Sequence, residues 1–345
     1  MLRVMGKAPV YKADDRSLLL PYYKRFVIEP SLSLIPARVH PNTITHAGHL
    51  LNFLGAALLV ALRPQAGWVF VASLLLVQLY NWADNADGAH ARRTKQSSAY
   101  GEFLDHGLDS LNTTYIGLMT VYALGSSPLW TVAIMILIPG AGAMTYWEQS
   151  ETGVFRLGLL NQVESLFVLS SVMAVDAIFG TGVWHQIKFG PLTAWDFFHL
   201  WPALTISFGK LRNLQRVHQA GRPIAPALAF LGLHALIFAA AYTHAVSTFV
   251  AVAFTVAVNL FWSARMLSLR FQNKPPRVEP MLVMGVFGMA LYLAWCASGR
   301  SLEPSMGVAL AALTCVVYGI FSLREARDGI ASIHAPQFEQ ATRQA

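Results

Sequence analysis

The sequence predicts an all-α fold: a polytopic membrane helix bundle of about ten transmembrane helices with an N-terminal interfacial segment. Three observations carry this. Of 345 residues, 55% are hydrophobic and only 12% charged, against roughly 25% charged in an ordinary soluble domain. Long uncharged stretches recur from one end of the chain to the other, continuously apolar rather than alternating, which selects helices over a barrel. The basic residues fall in short segments between those stretches, and mostly on alternate ones.

Taken in order, Met1 to Arg16 hold charges but no apolar run followed by a cleavage site, so no secretory signal peptide is expected and insertion would rely on the first span. Ser17–Arg38 mixes Leu18, Leu19, Leu20, Phe26, Val27 and Ile28 with Lys24, Arg25 and Glu29, and is broken by Pro21, Pro30 and Pro36. That pattern fits a partly helical segment lying on a membrane face. Spans are expected near Thr43–Leu62, Gly67–Arg92, Tyr100–Gly125, Pro128–Tyr146, Leu157–Phe179, Leu192–Phe208, Ala225–His244, Ser247–Trp262, Pro280–Ala297 and Pro304–Phe321. Each approaches or exceeds the roughly 20 helical residues needed to cross the hydrocarbon. With a cytoplasmic N-terminus, 22 of the 25 Lys and Arg fall on the cytoplasmic side, leaving Arg63, Lys188 and Arg300 opposite. This split supports both the count and the orientation, with both ends cytoplasmic. The organisation expected is a cytoplasmic interfacial segment over 1–42, a transmembrane domain over 43–323 and a cytoplasmic tail over 324–345.

The net charge of +7 is thus spent on topology. No basic stripe or recognition module accompanies it, and no nucleic-acid partner is expected. Cys296 and Cys315 sit inside apolar spans, away from other ligands, and read as packed thiols. Pro139-Gly140-Ala141-Gly142 interrupts the fourth span, as a kink or a close helix contact would. Asn112-Thr113-Thr114 matches the glycosylation triplet but lies inside the third span, out of reach of that machinery. No internal repeat or low-complexity tract is present.

Ionisable side chains are costly in membrane helices, and four acids gather at the cytoplasmic ends of the second and third spans: Asp84, Asp87, Asp105 and Asp109. On one helix Asp84, Asp87, Gly88 and Ala91 form a stripe at i, i+3, i+4 and i+7. On the next, Gly101, Asp105 and Asp109 form another at i, i+4 and i+8. A short loop near 93–99 makes the helices antiparallel neighbours, so the stripes can face. Four converging carboxylates repel unless a cation neutralises them. Hard oxygen ligands select Mg²⁺, Mn²⁺ or Ca²⁺, with Mg²⁺ usual where phosphates complete the coordination. Such a site can hold a pyrophosphate and stabilise a leaving phosphate. Arg92 and Arg93 are available as phosphate contacts.

Asp84-x2-Asp87-Gly88-x2-Ala91-Arg92-x8-Gly101-x3-Asp105-x3-Asp109 resembles the CDP-alcohol phosphotransferase signature at every fixed position. The wider stretch, including Ala91-Arg92-Arg93-Thr94, Ser97-Ser98 and Gly101 through Ser110, is most similar to the eukaryotic-type choline and ethanolamine phosphotransferases. Pro41-Asn42-Thr43-Ile44-Thr45 and Trp147-Glu148 with Thr152-Gly153 look like further elements of that group. Recognisable motifs cover roughly 15 to 165.

The resemblance implies an enzyme that moves a phospho-alcohol (phosphoethanolamine or phosphocholine) from a CDP-alcohol to diacylglycerol or another lipid hydroxyl, releasing CMP. It implies Mg²⁺ or Mn²⁺, two ions, and a homodimer. Asp84, Asp87 and Asp105 would be metal ligands, and Asp109 a ligand or the base. His106 is the competing base, since imidazole titrates near neutral pH. Asn42, Gly88, Ala91 and Gly101 would surround the cytidine nucleotide, with Arg92 near a phosphate. The protein would be a multi-pass protein of a bacterial inner membrane or an ER/Golgi membrane, its site facing the cytoplasm. A CDP-diacylglycerol donor with a small polar alcohol acceptor is the alternative, and a transporter or scaffold on a degenerate fold the next.

One departure concerns the head group. The common Lys-Gln after Asp-Gly is here Ala89-His90, positions not expected to touch metal or phosphate. Tyr80, Trp82, Tyr146 and Trp147 are available for an aromatic cage around a quaternary ammonium. Glu148 and Glu164 either line the cavity or make ordinary hydrogen bonds. His40, His46, His49, His90, His234 and His244 read as structural.

Overall fold

The computed structural model describes residues 12–62, 67–158, 161–300 and 303–334. The expectations for residues 1–11, Arg63, Arg343 and the tail from 335 onward lie outside the described residues.

Ten helices of 18 residues or more are present among the described residues: α1 Pro41–Leu62, α2 Gly67–Thr94, α3 Ala99–Ala123, α4 Pro128–Thr152, α5 Gln162–Phe179, α6 Ala194–Gln219, α7 Ala225–Tyr242, α8 Thr248–Phe271, α9 Pro280–Ala297 and α10 Pro304–Ile333. Seven of them are long and apolar enough to cross a membrane. The other three, α2, α3 and α6, are the ones loaded with polar residues: Asp84 and Asp87, Asp105 and Asp109, and Lys210, Arg212 and Arg216. Among the described residues the fold is thus all-α, with seven helices fit to cross a membrane and a few short strands beside them, such as Lys188–Phe189 paired with Leu192–Thr193.

Several helix ends differ from the hydropathy spans. The fifth helix begins at Gln162 rather than Leu157, because Asn161 caps it while Phe155–Leu157 is extended. Asn161 and Glu164 form a reciprocal capping box that satisfies the first backbone donors. Helices α4, α6, α8 and α10 run past their expected ends. Lys210 and Arg270, assigned above to cytoplasmic loops, are helical and buried.

The described residues form two compact units, Ala13–Ser126 with Arg156–Pro202, and Ser127–Phe155 with residues 203–334. In the first, α1 packs on α2 and α3, and α5 packs on α2 and α3. Glycine sets the α1–α2 approach: a Cβ on Gly48 would stand 2.9 Å from the Cβ of Ala83. The segment before α1 is a run of short helical turns between Leu20 and Leu34. It buries Leu20, Tyr23 and Ile28 against Val163, with Trp82 and Ala89 packed alongside. Its other face leaves Tyr22 and Phe26 exposed. Two polar ties hold it to the start of α5: Ser17 Oγ donates to Glu164 Oε1 at 2.6 Å, and Asn161 Nδ2 donates to Asp15 Oδ1 at 2.9 Å.

In the second unit α8 packs on α4 and α10, and α7 on α4, α8 and α9. Phe230 stacks on Trp262 with centroids 5.0 Å apart. Pro139 lies inside α4, and the glycine after it is a close contact: a Cβ on Gly140 would meet Lys210 Nζ at 2.8 Å. Lys210 Nζ donates to Ile136 O at 3.1 Å, in the turn before the proline, where the helix ladder is disturbed. Cys296 and Cys315 are free thiols.

Candidate active site

The site belongs to the first unit. Helix α2 carries Asp84, Asp87 and Gly88 and closes at Thr94; Lys95 takes a left-handed conformation, and Gln96 N donates to Ala91 O at 2.8 Å. This terminal pattern satisfies the last carbonyls and reverses the chain within four residues. Ser98 then caps α3, its Oγ accepting from Gly101 N at 3.0 Å. The turn brings Asp84 of α2 beside Asp105 and Asp109 of α3.

Asp84, Asp105 and Asp109 converge, each offering a carboxylate oxygen within 4.8 Å of the others'. Ligands opposite one another around Mg²⁺ stand about 4.2 Å apart, so three carboxylates at this spacing suit a single small hard cation. Asp87 stands outside the trio. Its Oδ2 accepts from Thr45 Oγ1 on α1 at 2.6 Å, and its Oδ1 accepts from Gly88 N.

The donors around the acids are neutral. Gln162 Nε2 donates to Asp84 Oδ2 at 2.8 Å; Tyr80 Oη (3.5 Å) and Asn112 Nδ2 (3.4 Å) donate to Asp109 Oδ1. Among the described residues none of the four aspartates is ion-paired with Lys or Arg. Oxygen ligands that lack a cationic partner and are oriented by neutral donors fit a divalent ion.

Gly101 and Gly88 are both positions of close contact. A Cβ on Gly101 would lie 3.2 Å from Ser98 Oγ and 3.4 Å from Asn42 Oδ1, so Asn42 and Gly101 share one end of the site. A Cβ on Gly88 would lie 3.4 Å from an Arg92 guanidinium nitrogen, which puts Arg92 against the bare backbone of Gly88. Ala91 is half-buried on the same helix. His106 is buried on α3 and outside the trio.

Other expected residues turn elsewhere. Arg93 donates to Ile35 O at 2.6 Å and contacts His90, whose Nε2 lies 2.8 Å from Val39 O. Arg93 therefore braces the segment before α1. His90 and Ala89, the two departures after Asp87-Gly88, face that segment too. Trp82 Nε1 donates to Ser31 Oγ at 2.8 Å, while Tyr80 faces Asp109, so these two do not form one cage wall. Glu164 is a capping and anchoring group, and Glu148, in the second unit, pairs with Arg216 through two contacts of 2.6 Å. Tyr146 and Trp147 are buried in the second unit. His49 Nδ1 lies 3.2 Å from Asn112 Oδ1.

Tyr23, from the segment before α1, borders the site. Burial, and after it the negative charge of Asp84, push its hydroxyl up to about 12, so it stays protonated at neutral pH. Sequence spacing did not find Thr45, Gln162, Asn112 or Tyr23. The signals available were the polar Asn112 inside an otherwise apolar span and Thr45 at the end of the Pro41-Asn42-Thr43-Ile44-Thr45 element.

Residues 38–190 match the family model described as CDP-alcohol phosphatidyltransferase. The chain is 33% identical to cholinephosphotransferase 1 of Gallus gallus over 184 residues, 50% of this chain and 54% of that protein. It is 30% identical to cholinephosphotransferase 1 of Danio rerio over 186 residues, covering 51% and 48%. With the Homo sapiens protein of the same name the identity is 29% over 173 residues, covering 46% and 43%. The chain thus spans about half the length of these relatives. The region that matches the family model contains all four aspartates and their neutral donors.

Proposed function

We propose that this protein transfers a phospho-alcohol, phosphoethanolamine or phosphocholine, from a CDP-alcohol to diacylglycerol or a similar lipid hydroxyl, releasing CMP in phospholipid synthesis. The observation that carries this reading is the convergence of Asp84, Asp105 and Asp109 beside a surface kept bare by Gly88 and Gly101.

Asp84, Asp105 and Asp109 would hold Mg²⁺ or Mn²⁺, with Asp87 completing a set for two ions. When bound, such ions neutralise the pyrophosphate and stabilise the leaving phosphate. Asn42 and Gly101 take one end of the cytidine nucleotide and Gly88 with Ala91 the other, without side-chain bulk between backbone and ligand. Arg92 adds a charged hydrogen bond to phosphate.

The lipid hydroxyl oxygen attacks the phosphorus that carries the alcohol. Its new P–O bond replaces the bond to the oxygen bridging to CMP, which departs with that oxygen. The hydroxyl proton goes to a base. Asp109 is already engaged by the trio, Tyr80 and Asn112, which supports His106 as that base. The ten long helices support ten spans with both ends cytoplasmic, and the exposed apolar face of the segment before α1 supports its lying on the membrane surface.

The reading is tested with purified protein, Mg²⁺, diacylglycerol and a panel of CDP-alcohols. CMP release from CDP-ethanolamine or CDP-choline is expected. Release from CDP-diacylglycerol alone, with a small alcohol as acceptor, would replace it with a phosphatidyltransferase.

A further inference from the structure

Gln162 is the only side chain from α5 that reaches the carboxylates in a described hydrogen bond, and 78 residues separate it from its partner. Its amide nitrogen makes two contacts, donating to Asp84 Oδ2 at 2.8 Å and to Tyr80 Oη at 3.2 Å. Tyr80 is buried on α2, and its hydroxyl donates onward to Asp109 Oδ1. One amide and one phenol thus link two members of the trio that come from different helices, α2 and α3.

We infer that Gln162 is a positioning residue: with Tyr80 it fixes Asp84 and Asp109 in the geometry that receives a divalent cation. This rests on the metal reading given above. Two features make the link more than incidental. Gln162 is the first residue of α5, directly after the capping Asn161, whose backbone and side chain are both tied down, to Glu164 and Asp15. Its backbone is therefore held in place when its side chain reaches across to Asp84. An amide also orients a carboxylate without adding positive charge. A Lys or Arg at this position would compensate Asp84 and compete with the cation, whereas a neutral donor leaves the oxygen's charge for the ion.

The test is titration of Mn²⁺ alone into the full-length purified protein, without nucleotide or lipid, with bound ion read by electron paramagnetic resonance. Gln162→Leu should weaken Mn²⁺ affinity about 10-fold, and saturating Mn²⁺ should restore most of the turnover, a recovery that a merely structural defect would not show. Tyr80→Phe, which removes the same link from the other side with little change of shape, should weaken affinity in the same direction. It carries the test if the Gln162 variant does not fold. Unchanged Mn²⁺ affinity in the folded variants would overturn the inference while leaving the metal site standing. A wild-type protein that binds no Mn²⁺ would remove the metal reading itself, and the inference with it.

Discussion

Asp105 sits in the carboxylate trio with no neutral donor described on it, whereas Asp87 is held by Thr45 and its own helix. The two should therefore respond differently to loss of charge. Asp105→Asn is expected to reduce CMP release to background while the protein still purifies folded; retained turnover would remove it from the ligand set. Thr45→Val, which frees Asp87, should lower turnover about 10-fold, as the loss of an orienting partner of a ligand does. His106 and Asp109 separate by pH. A histidine base works in its neutral form, so wild-type turnover should fall as acid protonates the ring. His106→Ala should lose most activity and that acid limb together, whereas Asp109→Asn should lose Mn²⁺ affinity; the reverse pattern would make Asp109 the base. The aspartates were legible because helical periodicity within one segment reports which residues share a face. Thr45, Gln162 and Asn112 were not, since periodicity says nothing of which neighbouring helix a face meets. Glu148 and Arg216 show the same limit: 68 residues apart in the chain, they form a part-buried pair that spacing does not announce.

At the scale of the element, helix ends and glycine contacts decide how the site is assembled. Ser98 caps α3 one turn before Gly101, so Ser98→Ala should destabilise the protein by about 1 kcal/mol and lower activity through α3, read as a fall in melting temperature. Gly48 lets α1 lie against α2 at Ala83. Gly48→Leu should cost about 1–3 kcal/mol through overpacking, and equal stability would show that α1 and α2 can separate without penalty. The sequence reading placed α5 about five residues early because hydropathy registers Leu157, Leu159 and Leu160 and ignores capping. The signal for the true start was present as Asn161-x-x-Glu164, the spacing of a reciprocal cap. The overruns of α6 and α10 have a related cause. Charged residues end a hydropathy window but not a helix, and Arg, Lys and Glu are good helix formers.

For the whole molecule, hydropathy located ten helices, but three of them, α2, α3 and α6, fall short of span composition because they carry the polar residues of the site and of the second unit's interior. In a membrane protein function is written as a local failure of apolarity. The expected charge split rests on the same argument from solvation, and two of the residues it counts, Lys210 and Arg270, are buried within helices. Orientation can be read with single cysteines probed by an impermeant thiol reagent. Lys95→Cys is expected to react from the cytoplasmic face and Lys188→Cys from the opposite one; the same side for both would overturn the ten-span arrangement. The measurement closest to the central claim is CMP release by the purified protein with diacylglycerol, Mg²⁺ or Mn²⁺ and CDP-ethanolamine or CDP-choline. The account predicts release that requires the divalent ion and disappears in Asp105→Asn, and release that is indifferent to chelation or to that substitution would contradict it.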